Sequence, residues 1–184
     1  MNNGKKKTNR TNLCLDCTVI GNGASRKKYN LDDIRHPTFG CNQLYKEHTP
    51  TFLVAKDRRV LEEMSRDGVE QVYVPFLSHR AHRDVSTITI PDMREIRFPY
   101  IRMNSWLTGE IAIVLAAQMG FENIDVIGFD GGPDSVYRER TDTNVSLKHN
   151  QVPEWRYGHT FQKILQYYPD VTINTDTDFL INYK

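Results

Sequence analysis

The sequence predicts one α/β domain of Rossmann-like type, with a mainly parallel sheet and helices on both faces. Three observations lead there. Short apolar runs alternate with helix-patterned segments along most of the chain, the signature of strand–helix–strand units. The clearest runs, "LCLDCTVI" and "NIDVIGF", are apolar on nearly every residue, as strands covered on both faces must be. A length of 184 residues suits one domain with a sizeable core better than two.

The elements follow in chain order. "MNNGKKKTNRTN", residues 1–12, is polar, basic and aperiodic, and reads as a disordered arm before a domain spanning 13–184. The first strand is expected over Leu13–Ile20, followed by a glycine turn and a short helix at most in "LDDIR". "TFGCN" (Thr38–Asn42) and "TFLVAK" (Thr51–Lys56) read as the next two strands. Asp57 is placed to cap the helix "RRVLEEMSRDG", which Gly68 stops. "QVYVPF" (Gln71–Phe76) is a fourth strand. Leu77–Met103 is less regular, rich in Arg and His with one alternating run, "STITI", and reads as a lid or insertion. In "SWLTGEIAIVLAAQMGF" the apolar residues Ile111, Val114, Leu115 and Met119, with alanines between them, mark a mostly buried helix ended by Gly120. Asn123–Phe129 is the following strand. Pro153 then opens a helix, Pro169 closes it, and "VTIN" is the last strand.

Composition narrows the function classes. The formal net charge of +1 provides no overall field for nucleic acid or anionic membrane. No apolar run is long enough to span a bilayer. Of the three cysteines, Cys14 and Cys17 form a C-x-x-C inside a strand, with no second pair to complete a zinc site. They read as buried, reduced strand residues, which suits a cytoplasmic protein. The partners expected are small molecules, with no nucleic acid; the oligomeric state is open.

In open parallel sheets ligands bind beyond the carboxyl ends of the strands, and the unusual polar and glycine residues of this chain fall there. Gly21-Asn22-Gly23 with Ser25 fits a strand-ending turn or a ligand cradle, since glycines allow close backbone approach and Asn and Ser supply hydrogen bonds. Neither the dinucleotide fingerprint nor the P-loop pattern is complete. Asn42 and Gln43 are two amides able to read a base edge or ribose hydroxyls, or to cap a turn. Thr108 and Gly109 begin the buried helix, where free N–H groups favour phosphate; helix capping by Ser105 or Thr108 accounts for them equally. Asp130 can bind a sugar hydroxyl, a metal or turn amides, and Tyr137 can donate to a phosphate. His149 and His159 are candidate general bases near neutral pH. No metal-ligand motif stands out; "DTD" at Asp176–Asp178 is the weak exception.

The order of these blocks is informative. "VIGNGAS", "FGCNQLYKE", "LTGEIAIVLAAQMGFENIDVIGFD", then a tyrosine and a histidine, resembles the bacterial sialyltransferases of glycosyltransferase family 42, and the related flagellin-glycosylation accessory and 6-hydroxymethylpterin diphosphokinase-like group. The resemblance implies a metal-independent, inverting transfer of a sialic-acid-like sugar from a CMP-linked donor to a hydroxyl on a glycan or small molecule. It implies that Asn22 and Asn42 contact the cytidine nucleotide, and Thr108 and Gly109 the nucleotide or its sugar. Asp130 would stand beside the donor, Tyr137 would bond the leaving phosphate, and His149 or His159 would be the base. No resident cofactor is implied; magnesium enters only if the chemistry is instead pyrophosphate transfer from ATP to a pterin-like alcohol. A third alternative is a nucleotide-binding module without catalysis.

Overall fold

The computed structural model describes residues 15–83, 85–97, 106–130 and 154–175. Seven strands form one all-parallel sheet: β1 (Asp16–Ile20), β2 (Thr38–Cys41), β3 (Phe52–Val54), β4 (Gln71–Pro75), β5 (Asp92–Ile96), β6 (Asn123–Ile127) and β7 (Thr172–Thr175). Their order across the sheet is β5-β4-β3-β2-β1-β6-β7. The helices are α1 (Arg58–Arg66), α2 (Phe76–His82), α3 (Thr108–Gln118) and α4 (Glu154–Tyr167). The domain is the Rossmann-like α/β type that the alternating pattern predicts.

The period-2 alternation of each strand sorts its side chains into two cores. Cys17, Val19, Phe39, Cys41, Val54, Tyr73, Ile124 and Val126 pack on the side of α3 and α4. Leu53, Ala55, Val72 and Val74 pack on the other side, against Leu61 and Met64 of α1. Helix α3 buries every residue from Glu110 to Ala117, so it lies between sheet and α4 rather than on the surface. Burial of one such Ile contributes about 1.5–3 kcal/mol. Helix α1 buries only Leu61 and Met64, and its polar face remains outward.

Gly68 and Gly120 end α1 and α3 with φ of 76° and 91°. Left-handed residues there let Val69 and Phe121 donate back to the Met64 and Ala116 carbonyls. Asp57 holds the position before α1 with extended backbone, but its side chain makes no capping bond. The region read as a lid or insertion contributes α2 and the edge strand β5. Pairing falls on Asp92–Ile96, next to the alternating "STITI", whose Ile88 and Ile90 instead anchor a loop in the α1-side core. Cys17 and Cys41 are buried within strands, as expected, while Cys14 lies outside the described residues. No helix among the described residues is long and apolar enough to cross a membrane.

Candidate functional site

Strand β1 is the point where the sheet changes direction. The chain runs from β1 outward through β2 to β5, then returns to β6 on the opposite side of β1. In such sheets the carboxyl ends of the strands flanking this point are where ligands bind, yet here the loops leaving β1 and β6 stay joined. Beyond the paired residues Ile20 and Ile127, the Gly21 N–H donates to the Ile127 carbonyl at 2.8 Å and the Gly23 N–H to the Gly128 carbonyl at 2.8 Å.

Phe129 is the wedge that organises this junction, and it is 3% exposed. A Cβ on Gly21 would lie 2.4 Å from the Gly128 carbonyl oxygen and 2.8 Å from the Phe129 ring. A Cβ on Gly109 would lie 2.5 Å from the same ring. The ring is thus held between the turn after β1 and the first turn of α3, and only glycine fits on either side. A Cβ on Gly23 would meet the Asp130 carboxylate at 2.6 Å. The turn glycines are expected to admit a ligand; what they admit here is the chain's own β6 end. Gly21 and Gly23 have no positive φ, whereas Gly128, not singled out from sequence, has φ of 73°.

Asp130 faces the same turn. Its Oδ2 accepts from the Ser25 N–H at 2.7 Å, and its Oδ1 accepts from the Ser25 hydroxyl. Two expected ligand contacts are therefore bonded to each other, and they lock the β1 loop to the β6 loop.

Asn22 and Asn42 behave differently. Ile20 pairs with Gly40, so Asn22 and Asn42 each stand two residues beyond a matched pair on neighbouring strands, which lie about 4.8 Å apart. The side-chain Oδ1 of each is buried and has no hydrogen-bond partner among the described residues. Buried polar atoms are nearly always satisfied. Asn42 also adopts φ of 53°, the one positive φ found at a non-glycine position among the described residues. Such strained backbone concentrates at functional sites.

Gln43 turns away from this pair. Its amide N–H donates to Glu63 of α1 at 3.0 Å. It fastens the short helical turn Asn42–Lys46 to α1, helped by a Lys46–Glu63 ion pair and by the Tyr45 hydroxyl donating to Asp67 at 2.6 Å.

At the start of α3, Thr108 is buried and is the first helical residue rather than its cap. The capping acceptor is Glu110, whose Oε2 takes the Leu107 N–H at 2.7 Å. Its Oε1 takes the Thr160 hydroxyl of α4 at 3.0 Å. This carboxyl group, fully buried, stands in the first turn of α3 and ties it to α4. His159 neighbours Thr160 and is exposed. Tyr137 and His149 lie outside the described residues, as does Asp176–Asp178. Among the described residues no three His, Cys, Asp or Glu side chains cluster as a metal site.

The structure thus brings Gly21, Asn22, Gly23, Ser25, Asn42, Thr108, Gly109 and Asp130 to one edge of the sheet, and directs Gln43 away from it. It adds residues that sequence reasoning missed. Arg26 is 3% exposed and donates to Glu47 at 2.5 Å. Burial pushes the Cys41 thiol up to about 12, against the opposing pull of the Arg26 charge. Within "SRKK" nothing separates Arg26 from an ordinary solvated basic run. Glu110 carried a signal, as the one charge in an otherwise apolar helix. Neither a protein-family model nor a curated protein matches the chain.

Proposed function

We propose that this edge binds the nucleotide of a CMP-linked sugar donor, and that the protein transfers the sugar to a hydroxyl acceptor. One observation carries the proposal: the two buried, unpartnered amide oxygens of Asn22 and Asn42 on adjacent strand ends. Leaving a buried acceptor unsatisfied costs about 1–3 kcal/mol. A ligand that brings donors removes that cost. A nucleoside brings them, in its ribose hydroxyls and the amino group of its base, whereas a phosphate offers acceptors. The ordered resemblance to the family 42 sialyltransferases supports the CMP-sugar class.

The chemistry is a direct displacement. His149 or His159 takes the acceptor's proton as its oxygen bonds to the anomeric carbon. The bond from that carbon to the phosphate oxygen breaks, and CMP departs with the electron pair. Tyr137 donates to the leaving phosphate. These two roles rest on the resemblance. A positioned base is worth about 10²–10⁴ in rate. The bonding of Asp130 to Ser25 favours this route over pyrophosphate transfer, in which Asp130 would hold magnesium.

Calorimetric titration with CMP, UDP, GDP and ATP–Mg tests the proposal. CMP should bind, and Asn22→Ala or Asn42→Ala should each weaken it about tenfold. Binding of ATP–Mg alone would favour the diphosphokinase alternative, and silence toward all four would reject nucleotide binding. Transfer activity surviving the His149→Ala, His159→Ala double variant would remove the histidine base; CMP binding without turnover of CMP-sialic acid would leave a binding module.

A further inference from the structure

The mechanism leaves the buried guanidinium of Arg26 unused. Arg26 lies four residues after Asn22, in the short helical turn Ala24–Lys28. Glu47 lies five residues after Asn42 and ends the turn Asn42–Lys46. Their side chains meet at 2.5 Å, so one ion pair bridges the two loops that carry the unpartnered amides. Arg26 reaches back as well: its Nη1 lies 3.4 Å from the Gly21 carbonyl, next to Asn22. On the other side, the Gly23 N–H is fixed to Gly128. Asn22 is therefore pinned on both flanks. The Asn42 turn is held on two sides too, by Glu63 through Gln43 and Lys46, and by Arg26 through Glu47.

Two parallel strands set the spacing of their last paired residues, but not of side chains two residues beyond. Something must fix that gap if both amides are to address one ligand. Arg26 is buried while the Glu47 side chain is 31% exposed, so desolvation of the guanidinium and solvent screening at the carboxylate leave the pair little net stability to contribute. The pair is well suited to fixing a geometry.

We infer that Arg26 and Glu47 are positioning residues that set the separation of Asn22 and Asn42. The inference rests on the nucleotide-site reading for its purpose, but its geometry can be tested without ligand.

Glu47→Gln keeps the shape and removes the charge. The side-chain NH2 signals of Asn22 and Asn42 in a 15N NMR spectrum, assigned through Asn22→Ala and Asn42→Ala, are the readout. Both should shift or broaden in Glu47→Gln. The Asn123 signal should not move, since its amide donates to Asp16 at 2.7 Å at the opposite end of the sheet. CMP affinity should fall at least fivefold, and Glu47→Gln combined with Asn42→Ala should bind hardly less than Asn42→Ala alone, the non-additivity expected of groups acting as a unit. Unmoved Asn22 and Asn42 signals in folded Glu47→Gln would overturn the inference. Arg26→Lys repeats the test if Glu47→Gln does not fold, and failure of both to fold would make the pair purely structural and overturn it as well. If wild-type protein ignores CMP, the nucleotide reading falls, and the NMR result alone decides the positioning role.

Discussion

The two halves of the sheet treat their polar groups in opposite ways. In the half built from β3, β4 and β5, several of the described polar side chains are paired off. Glu62 takes both Arg58 and Thr87, Asp92 takes Gln71 and Arg94, Arg94 also reaches the Tyr73 hydroxyl, and His79 meets Glu95 at 3.2 Å. At the β1–β2–β6 edge the backbone is closely packed and pinned, yet two asparagine oxygens are left without partners. The first half spends its polar groups on itself. The second is closely packed but unsatisfied, the condition that the proposed nucleotide site needs.

The largest expected effect sharpens the contrast at the level of glycine. Gly21→Ala forces a methyl group against the Gly128 carbonyl and the Phe129 ring, and should cost about 3 kcal/mol in urea denaturation. Gly68→Ala on the α1 side meets no atom within 4 Å and should cost only about 1 kcal/mol, for its left-handed backbone. Equal costs would remove the distinction between a packed edge and a free one.

Next in size, Thr160→Val removes a hydroxyl that donates to the buried Glu110 carboxylate. Leaving a buried acceptor unsatisfied costs about 1–3 kcal/mol, so a loss of about 2 kcal/mol is expected by denaturation. A smaller loss of about 0.5 kcal/mol would mean that the α3–α4 tie is incidental.

Asn42→Gly should act with the opposite sign. It relieves a positive φ and deletes an unsatisfied buried oxygen, so the ligand-free protein should gain about 1 kcal/mol, read as a higher thermal midpoint. An equal loss would show that Asn42 is structural.

The smallest effect is acid sensitivity, expected on the α1 side. The Tyr45 hydroxyl holds Asp67 below its ordinary range, the Arg58 guanidinium does the same for Glu62, and the Arg94 guanidinium for Asp92. A carboxylate with a depressed folded pKa stabilises the fold above its unfolded value, and that contribution fades as pH falls through the folded one. Stability should therefore decline modestly as pH drops below about 4.5, with hydrogen exchange rising first around α1 and β5. Faster exchange at the β1–β6 edge instead would break the comparison.

Much of this was legible in the chain. Glycine stops at Gly68 and Gly120 need only local backbone chemistry, and they stand where the sequence puts them. The apolar run of α3 and the doubly covered β1 and β6 follow from hydrophobic period. Gln43 was assigned to the ligand edge because a neighbour in sequence shares a strand end; its side chain nonetheless points to α1, since the Asn42 turn rotates successive side chains to different faces. β5 was hidden because Asp92–Ile96, "DMREI", is a polar edge strand, and edge strands lack the apolar signature of central ones.

By itself the sequence determined the class of fold, the identity of its central strands and helices, and the strand ends where its unusual polar and glycine residues gather, because these depend on periodicity and on turn residues, which are local. Only the tertiary structure decided which polar atoms at that edge are occupied. Ser25 and Asp130 come together across 105 residues, Glu110 and Thr160 across 50, and Arg26 and Glu47 across 21. Satisfaction of a buried group is a property of neighbours in space. The two asparagines stand out only once every other partner has been placed.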